Sequence, residues 1–359
     1  MIFSRTPYRI SFFGGGTDYP TWYKNYGGSV LSTSIDKYCY ISCRTLPPFF
    51  EHRFRVVYSK IELAENLDQI QHPSVRETLK YLDVSNGLEI HHDGDIPARS
   101  GIGSSSSFTV GLLNAVTALQ GRMLSKDQLA HESIHIEQNL IKECVGSQDQ
   151  VSTAFGGINH IVFQKNGEIS VHPVTISEER LLDFESHLML FFTGFSRYSS
   201  DVAKKIIHNI PDRYKELTQM QQFVDEALNI INSPSRISLL GKLLHENWLY
   251  KKMLSNDISS SAVDEIYSEA IAAGALGGKI IGAGGGGFLL LFARPEDQIA
   301  IKNRLKNLLY VPFSFDFTGS QILYYNNKSK QYVYDDEHGS YVYRKKNSGT
   351  MPAKQNLMI

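Results

Sequence analysis

The sequence predicts an α+β protein of two domains, and three observations carry that expectation. At 359 residues the chain has length for about two domains of roughly 150 residues each. Strand patterning dominates the first half and returns at 158–174, whereas residues 200–254 read as helix. Three glycine-rich clusters, at 14–16, 101–107 and 282–287, follow or join the expected strands and read as ligand-approaching loops. The expected division is 1–180, 181–326 and a Tyr- and Lys-rich tail over 327–359.

Strand character appears at 29–46, 54–59 and 88–92, with Pro47, Pro48 and Pro97 marking loops. Apolar residues Phe108, Leu112, Ala115, Val116 and Leu119 recur at helical spacing over 104–119. The next helix starts at Ser125, with Gln128 three residues on as in a capping box. Strands follow at 158–163 and 169–174. The helical region 200–254 breaks at Ser233-Pro234, and a further helix spans 262–273. A glycine-rich strand–loop–strand over 279–292, a helix over 296–309, a strand at 321–325 and a hairpin at 332–343 complete the expectation.

Composition excludes several classes. Hydrophobic residues are 42% and charged residues 20%, enough for a packed core and too apolar for disorder. Lys and Arg number 36 against 37 Asp and Glu, so the net charge is -1 and no basic field for nucleic acid or an anionic membrane exists. Cys39, Cys43 and Cys144 are too few for a disulfide framework, and Cys39 and Cys43 alternate as core residues of a strand would. The first twenty residues lack the succession of a signal peptide, and no apolar run approaches a membrane span. A cytoplasmic location is expected, with a homodimer left open. His131 and His135 share a helix face but lack a third zinc ligand.

The glycine clusters carry the chemistry. The first runs from Arg9 through Gly14, Gly15 and Gly16 to Thr17 and Asp18. Glycine lets a backbone approach a ligand closely, and Asp18 offers acceptors suited to sugar hydroxyls. A tight turn capped by Asp18 is the competing reading. The second cluster, Pro97 to Ser107, leads straight into a helix. Free N–H groups at a helix start form an anion site, and serine hydroxyls can ligate Mg²⁺. No Gly-Lys-Ser/Thr follows, so it is not a Walker A loop. In the third cluster Gly282, Gly284 and Gly287 satisfy GxGxxG, but a strand follows rather than a helix, which excludes a dinucleotide fold. Glu137 lies among Ser133, Ile134, Leu140 and Ile141 and should point inward, where a carboxylate needs a partner or a metal. Asp149 lies in a short polar stretch that reads as a loop. Taken alone, either acid reads first as a cap or a salt-bridge partner.

In order and spacing, the three clusters resemble the GHMP small-molecule kinases. Residues 97–107 look like their PxxxGLGSSAA motif, with Ile102 for leucine. Galactokinases read RVNLIGEHTDY where this chain reads RISFFGGGTDY, so the sugar-contacting glutamate is replaced by Gly15. The GGGTDYP form, GSQDQ and FTGFSR resemble the D-glycero-D-manno-heptose 7-phosphate kinases, with fucokinases more distant. The resemblance implies a two-domain fold with ATP and substrate in the cleft between domains. It implies phosphorylation of the anomeric hydroxyl of heptose 7-phosphate, a step toward GDP-heptose and surface polysaccharide. Carried over by motif, ATP would contact Pro97, Ser100, Gly101, Ile102, Gly103, Ser104, Ser105 and Ser106. Mg²⁺ would take Ser105 and Glu137. Asp149 would accept the hydroxyl proton, and Arg9 would stabilise charge on the transferring group. The sugar would meet Gly15, Gly16, Thr17 and Asp18, under Gly284, Gly285 and Gly286. A phosphorylated sugar needs a basic subsite; Arg197 leads the candidates, ahead of Lys204, Lys205, Arg44 and Arg99. A fucose kinase and a sensor without turnover are the other readings.

Overall fold

The computed structural model describes residues 1–47, 49–98, 100–194, 199–326, 331–335 and 340–344. Arg99, Arg197 and the end of the tail lie outside the described residues. Two long strands organise the first half, β1 (Ile2–Phe13) and β2 (Gly28–Thr45), joined through the short helix α1 (Pro20–Tyr26). Proline at the first helical position and Gly27 at φ 77° bound α1. β2 serves as a hub. It pairs along its length with β1, through Gly28–Thr33 with β6 (Ile158–Phe163), and through Cys39–Thr45 with β5 (Leu88–Gly94). A register shift after Pro7 lets the β1–β2 ladder bend. The strands β3 (Phe54–Val57), β4 (Ile61–Ala64) and β7 (Ile169–Pro173) extend the same sheet.

Helix α2 (Pro73–Tyr81) precedes β5, and α3 (Ser104–Leu119) lies across β1 and β2. Close approach needs Gly111, where a Cβ would stand 2.8 Å from Thr6 Oγ1, and Ser4 Oγ donates to the Gly111 carbonyl at 2.9 Å. Helix α4 (Lys126–His135) opens on the expected capping box: Ser125 Oγ accepts from the Gln128 amide, and Gln128 Oε1 from the Ser125 amide. A single π-helical turn (Ile136–Leu140) follows, then α5 (Gln148–Phe155). Cys39 and Cys43 are buried, and His131 and His135 are exposed, as their spacing predicts.

After α6 (Glu178–Ser186) and β8 (Leu188–Phe192) come the helices α7 (Ser199–Asn209), α8 (Tyr214–Asn232), α9 (Leu239–Met253) and α10 (Ser261–Ala272). The helical stretch breaks at Ser233, as Pro234 predicts. β9 (Ala275–Ile280) and β10 (Phe288–Ala293) then join β8 and β11 (Leu309–Tyr310) in a four-stranded sheet ordered β11-β8-β10-β9. The glycine-rich turn leads from strand to antiparallel strand, which bears out the exclusion of a dinucleotide fold. The helix expected over 296–309 is shorter. It runs as α11 (Gln298–Arg304), and the chain beyond it turns into the core at Leu305 to reach β8. The last strands leave this sheet. β12 (Phe315–Asp316) pairs with β2 and β13 (Gln321–Tyr325) with β1. β14 (Gln331–Asp335) and β15 (Ser340–Arg344) form the hairpin expected in the tail. Among the described residues, no helix is long and apolar enough to cross a membrane.

Candidate active site

Arg9 lies near the end of β1, and its guanidinium gathers the site. Nε donates to Asp149 Oδ1 and Nη2 to Asp149 Oδ2, each at 2.6 Å. Nη1 donates to the Gly101 carbonyl at 2.9 Å, and the Arg9 amide to the Ile102 carbonyl at 3.1 Å. One residue of β1 thus holds both Asp149 and the second glycine cluster. The Arg9 side chain is 4% exposed and that of Asp149 24%, so the carboxylate is the open end of the pair. A carboxylate has about four lone-pair sites, so acceptor capacity remains on that open side. Asp149 is on the first turn of α5, not on a loop as its sequence context suggests. Val151, Ser152 and Thr153 are weak helix formers, and their burial holds the helix.

Gly103 is the N-cap of α3 at φ 75°, ψ 25°. A Cβ there would stand 3.0 Å from Arg9 Cγ and 3.5 Å from Asp149 Oδ2, so both conformation and space call for glycine. The positive end of α3 therefore begins beside the ion pair. Around the loop Pro97 is exposed, Ser104 half-buried and Ser105 exposed. Ser100 Oγ is buried without a partner, and Ser107 Oγ donates to the Pro7 carbonyl at 2.9 Å.

Asp18 is buried beneath the first cluster. Its Oδ1 accepts from the Gly16 amide at 2.9 Å and its Oδ2 from the Gln148 amide at 3.3 Å. A Cβ on Gly146 would collide with this carboxylate. Burial raises the Asp18 carboxyl above its ordinary range; the Gly16 and Gln148 amides oppose that, and the Asp149 charge adds to it. Thr17 turns its hydroxyl to the backbone, near the Gly14 and Ser29 carbonyls, and accepts from the Ser29 amide at 3.1 Å. It ties the loop down, while Gly15 stays half-buried at the surface.

Two buried lysines complete the centre. Lys279 Nζ donates to the Phe12 carbonyl at 2.9 Å. Lys251 Nζ, from α9, donates to the Ile280 carbonyl at 2.9 Å and the Gly282 carbonyl at 2.6 Å. Burial lowers Lys251 to about 7; Arg9 pushes it the same way, and Asp18 and Asp149 oppose. Burial also holds Lys279 well below the usual lysine range. Gly282, at φ 74°, packs against the Gly101 carbonyl where no side chain fits, so the second and third clusters meet backbone to backbone. Gly285 donates to the Ile258 carbonyl at 2.9 Å, with Gly284 and Gly286 on either side at positive φ. Sequence reasoning missed Lys251. Its signal was a lysine at i+4 from Asn247 and i+3 from Trp248, within the buried stripe of α9.

Glu137 is fully buried on the π-helical turn, as its apolar neighbours predict. Its Oε2 accepts from Ser106 Oγ at 2.9 Å and from Gln150 Nε2. Its Oε1 has no partner. The hydroxyl that bonds Glu137 directly is that of Ser106, while Ser105, expected with Glu137 as a Mg²⁺ ligand, interacts with Glu143. Burial, then the Glu143 charge, raises Glu137 to about 7, against the donors on Ser106 and Gln150. Among the described residues, no three His, Cys, Asp or Glu side chains gather as a metal site. A buried carboxylate oxygen without a partner, a second carboxylate and serine hydroxyls nonetheless suit a hard cation that shares its sphere with phosphates.

The family model for the GHMP kinases N terminal domain matches residues 69–157, and that for the GHMP kinases C terminal domain matches 226–311. The chain belongs to the GHMP kinase family. Within that family, a D-glycero-alpha-D-manno-heptose 7-phosphate kinase of Campylobacter jejuni is 28% identical over 330 residues, covering 88% of this chain and 96% of its own. An L-fucokinase/L-fucose-1-P guanylyltransferase of Bacteroides fragilis is 24% identical over 350 residues; the match covers 85% of this chain and 36% of that longer protein. A crystal structure of a D-glycero-D-manno-heptose 1-phosphate kinase from Bacteroides thetaiotaomicron has a TM-score of 0.71 at 22% identity, over 90% of this chain and 99% of that one. This GHMP kinase is a phosphotransferase acting on a sugar hydroxyl. Arg197 lies outside the described residues. Arg44 is engaged by Glu89 at 2.5 Å.

Proposed function

We propose that this kinase transfers the γ-phosphoryl group of ATP to the anomeric C1 hydroxyl of D-glycero-D-manno-heptose 7-phosphate, giving the 1,7-bisphosphate for GDP-heptose synthesis. The observation that carries the reading is the Arg9–Asp149 fork against Gly101 and Gly103, with Asp18 buried beside it. The Campylobacter relative, aligned over 88% of this chain, supports the choice of substrate.

ATP phosphates would lie on the loop from Ser100 to Ser106, at the positive end of α3. The sugar would lie over Gly15, Gly16 and Asp18, with Gly284, Gly285 and Gly286 across it. Asp149 takes the C1 hydroxyl proton on its open side. The C1 oxygen forms the new P–O bond as the bond to the ADP oxygen breaks. Arg9 keeps Asp149 in place and offsets the charge of the transferring group. Lys251 fixes the third glycine cluster against the second. Glu137, Ser105, Ser106 and Glu143 would hold Mg²⁺, which when bound neutralises charge on the ATP phosphates.

The test is ADP formation with Mg²⁺ across heptose 7-phosphate, free heptose, mannose, fucose and galactose. Selective turnover of heptose 7-phosphate to a product carrying an acid-labile anomeric phosphate is expected. Preference for fucose would replace the substrate, in line with the Bacteroides fragilis relative. ATP binding without turnover of any sugar would replace catalysis with sensing.

A further inference from the structure

A cavity of about 340 Å³ opens between the second half of α7, the start of α8 and the loop after α9. Lys204, Lys205 and His208 line it from α7, Arg213 from the residue before α8, and Ser255 and Asp257 from the loop. Three fixed cations and an imidazole thus face one lining carboxylate. That carboxylate is engaged by Lys205 at 2.8 Å. Lys204 and Arg213 have more distant partners, Asp201 at 4.0 Å and Glu216 at 3.4 Å, and neither acid lines the cavity. Arg213 Nε is buried with no partner. A guanidinium with an unused donor beside a second cation suits a phosphomonoester, which carries about −1.5 to −2 charges at pH 7.

The walls of this cavity back onto both substrate loops. Asn209 Nδ2 donates to the Leu254 carbonyl at 2.9 Å, and a Cβ on Gly16 would stand 3.5 Å from Leu254 Cδ1. Leu217 donates its amide to the Arg213 carbonyl at 3.0 Å, and its Cδ2 lies 3.0 Å from that same Cβ position. Ile258 donates to the Ser255 carbonyl at 3.2 Å and accepts from Gly285. Arg213 and Ser255 are therefore each one turn from a residue that touches the first or third glycine cluster.

We propose that this cavity is the subsite for the substrate's own phosphate, held by Arg213 and Lys204. The proposal rests on the sugar-phosphate reading above, and its test separates the two. Turnover of heptose 7-phosphate and of free heptose is measured for the wild type, Arg213→Gln, Arg213→Lys and Lys204→Gln, with urea midpoints as a check on folding. The wild type should prefer the phosphorylated sugar through KM. Arg213→Gln should cut that preference about 10- to 100-fold, the value of one charged hydrogen bond, with kcat on free heptose kept. Arg213→Lys should recover part of it, and Lys204→Gln should lower it less. Should Arg213→Gln prove unstable, Lys204→Glu on the exposed helix face carries the same comparison. A wild type that prefers the phosphorylated sugar, with variants that keep the preference, would overturn the subsite and leave the substrate standing. A wild type indifferent to the 7-phosphate would overturn the substrate reading and the subsite together. Inorganic phosphate that binds through Arg213 without competing with heptose 7-phosphate would make the cavity a separate anion site and overturn the proposal.

Discussion

Asp149→Asn separates the chemical role of the carboxylate from its role as a partner of Arg9. Asparagine keeps the shape but offers one acceptor oxygen where Arg9 Nε and Nη2 each need one. One arm of the fork would meet an amide nitrogen instead. Losing one charge-assisted bond costs about 1.5–3 kcal/mol of stability. Losing the proton acceptor costs a factor of about 10²–10⁴ in turnover, or about 2.7–5.4 kcal/mol. The two effects read out separately: urea unfolding gives the first, ADP release under saturating substrates the second, and calorimetric ATP titration tests whether the loop survives. The expected variant is somewhat less stable, binds ATP nearly as well, and turns over at least about a hundredfold more slowly. A variant that loses stability but less than about tenfold in kcat would refute the base assignment and leave Asp149 as a salt-bridge residue.

Three further outcomes are expected. Gly103→Ala should cost about 1–2 kcal/mol in the left-handed conformation and at least about tenfold in kcat, because its methyl group presses on Arg9; unchanged kinetics would separate that loop from the ion pair. Lys251→Met leaves the Ile280 and Gly282 carbonyls without their donor and should destabilise the fold by about 2–5 kcal/mol, which a urea midpoint equal to wild type would exclude. His72 is half-buried against Phe108 with its ring centroid 4.7 Å away, and its partial burial lowers its pKa from 6.5 to about 4, against the Glu62 charge. The unfolded chain therefore binds the proton more readily, so stability is lost as pH falls from about 6.5 to about 4, by about 3 kcal/mol. His72→Phe should flatten that limb of the stability curve in urea melts at pH 7, 6, 5 and 4, and an unchanged slope would exclude His72 as its source.

Periodicity and caps made α3, α4 and the inward turn of Glu137 legible, because there local preference and burial agree. Helix α5 was not legible: β-branched and polar residues argue against it, and packing overrides them. Lys251 escaped because charge normally marks a solvated face, and here the ammonium instead serves two backbone carbonyls inside the molecule. Ser105 and Ser106 are adjacent, so their spacing alone does not say which hydroxyl faces Glu137; the pitch of α3 decides it. The return of β12 and β13 to the first sheet has no local signature, since their partners lie in β1 and β2.

That return orders events during synthesis. Ser4 pairs with Ile322, so the first strand leaves the ribosome 318 residues before its edge partner. At about 5–20 residues per second the wait is roughly 15–60 s. Through that interval the Ile2–Arg5 edge of β1 presents unpaired backbone groups in a sheet that also still lacks β12. The nascent N-terminal half is then a client for chaperones and a partner for stray strands. Truncation before residue 321 should accordingly produce aggregation rather than a smaller folded kinase.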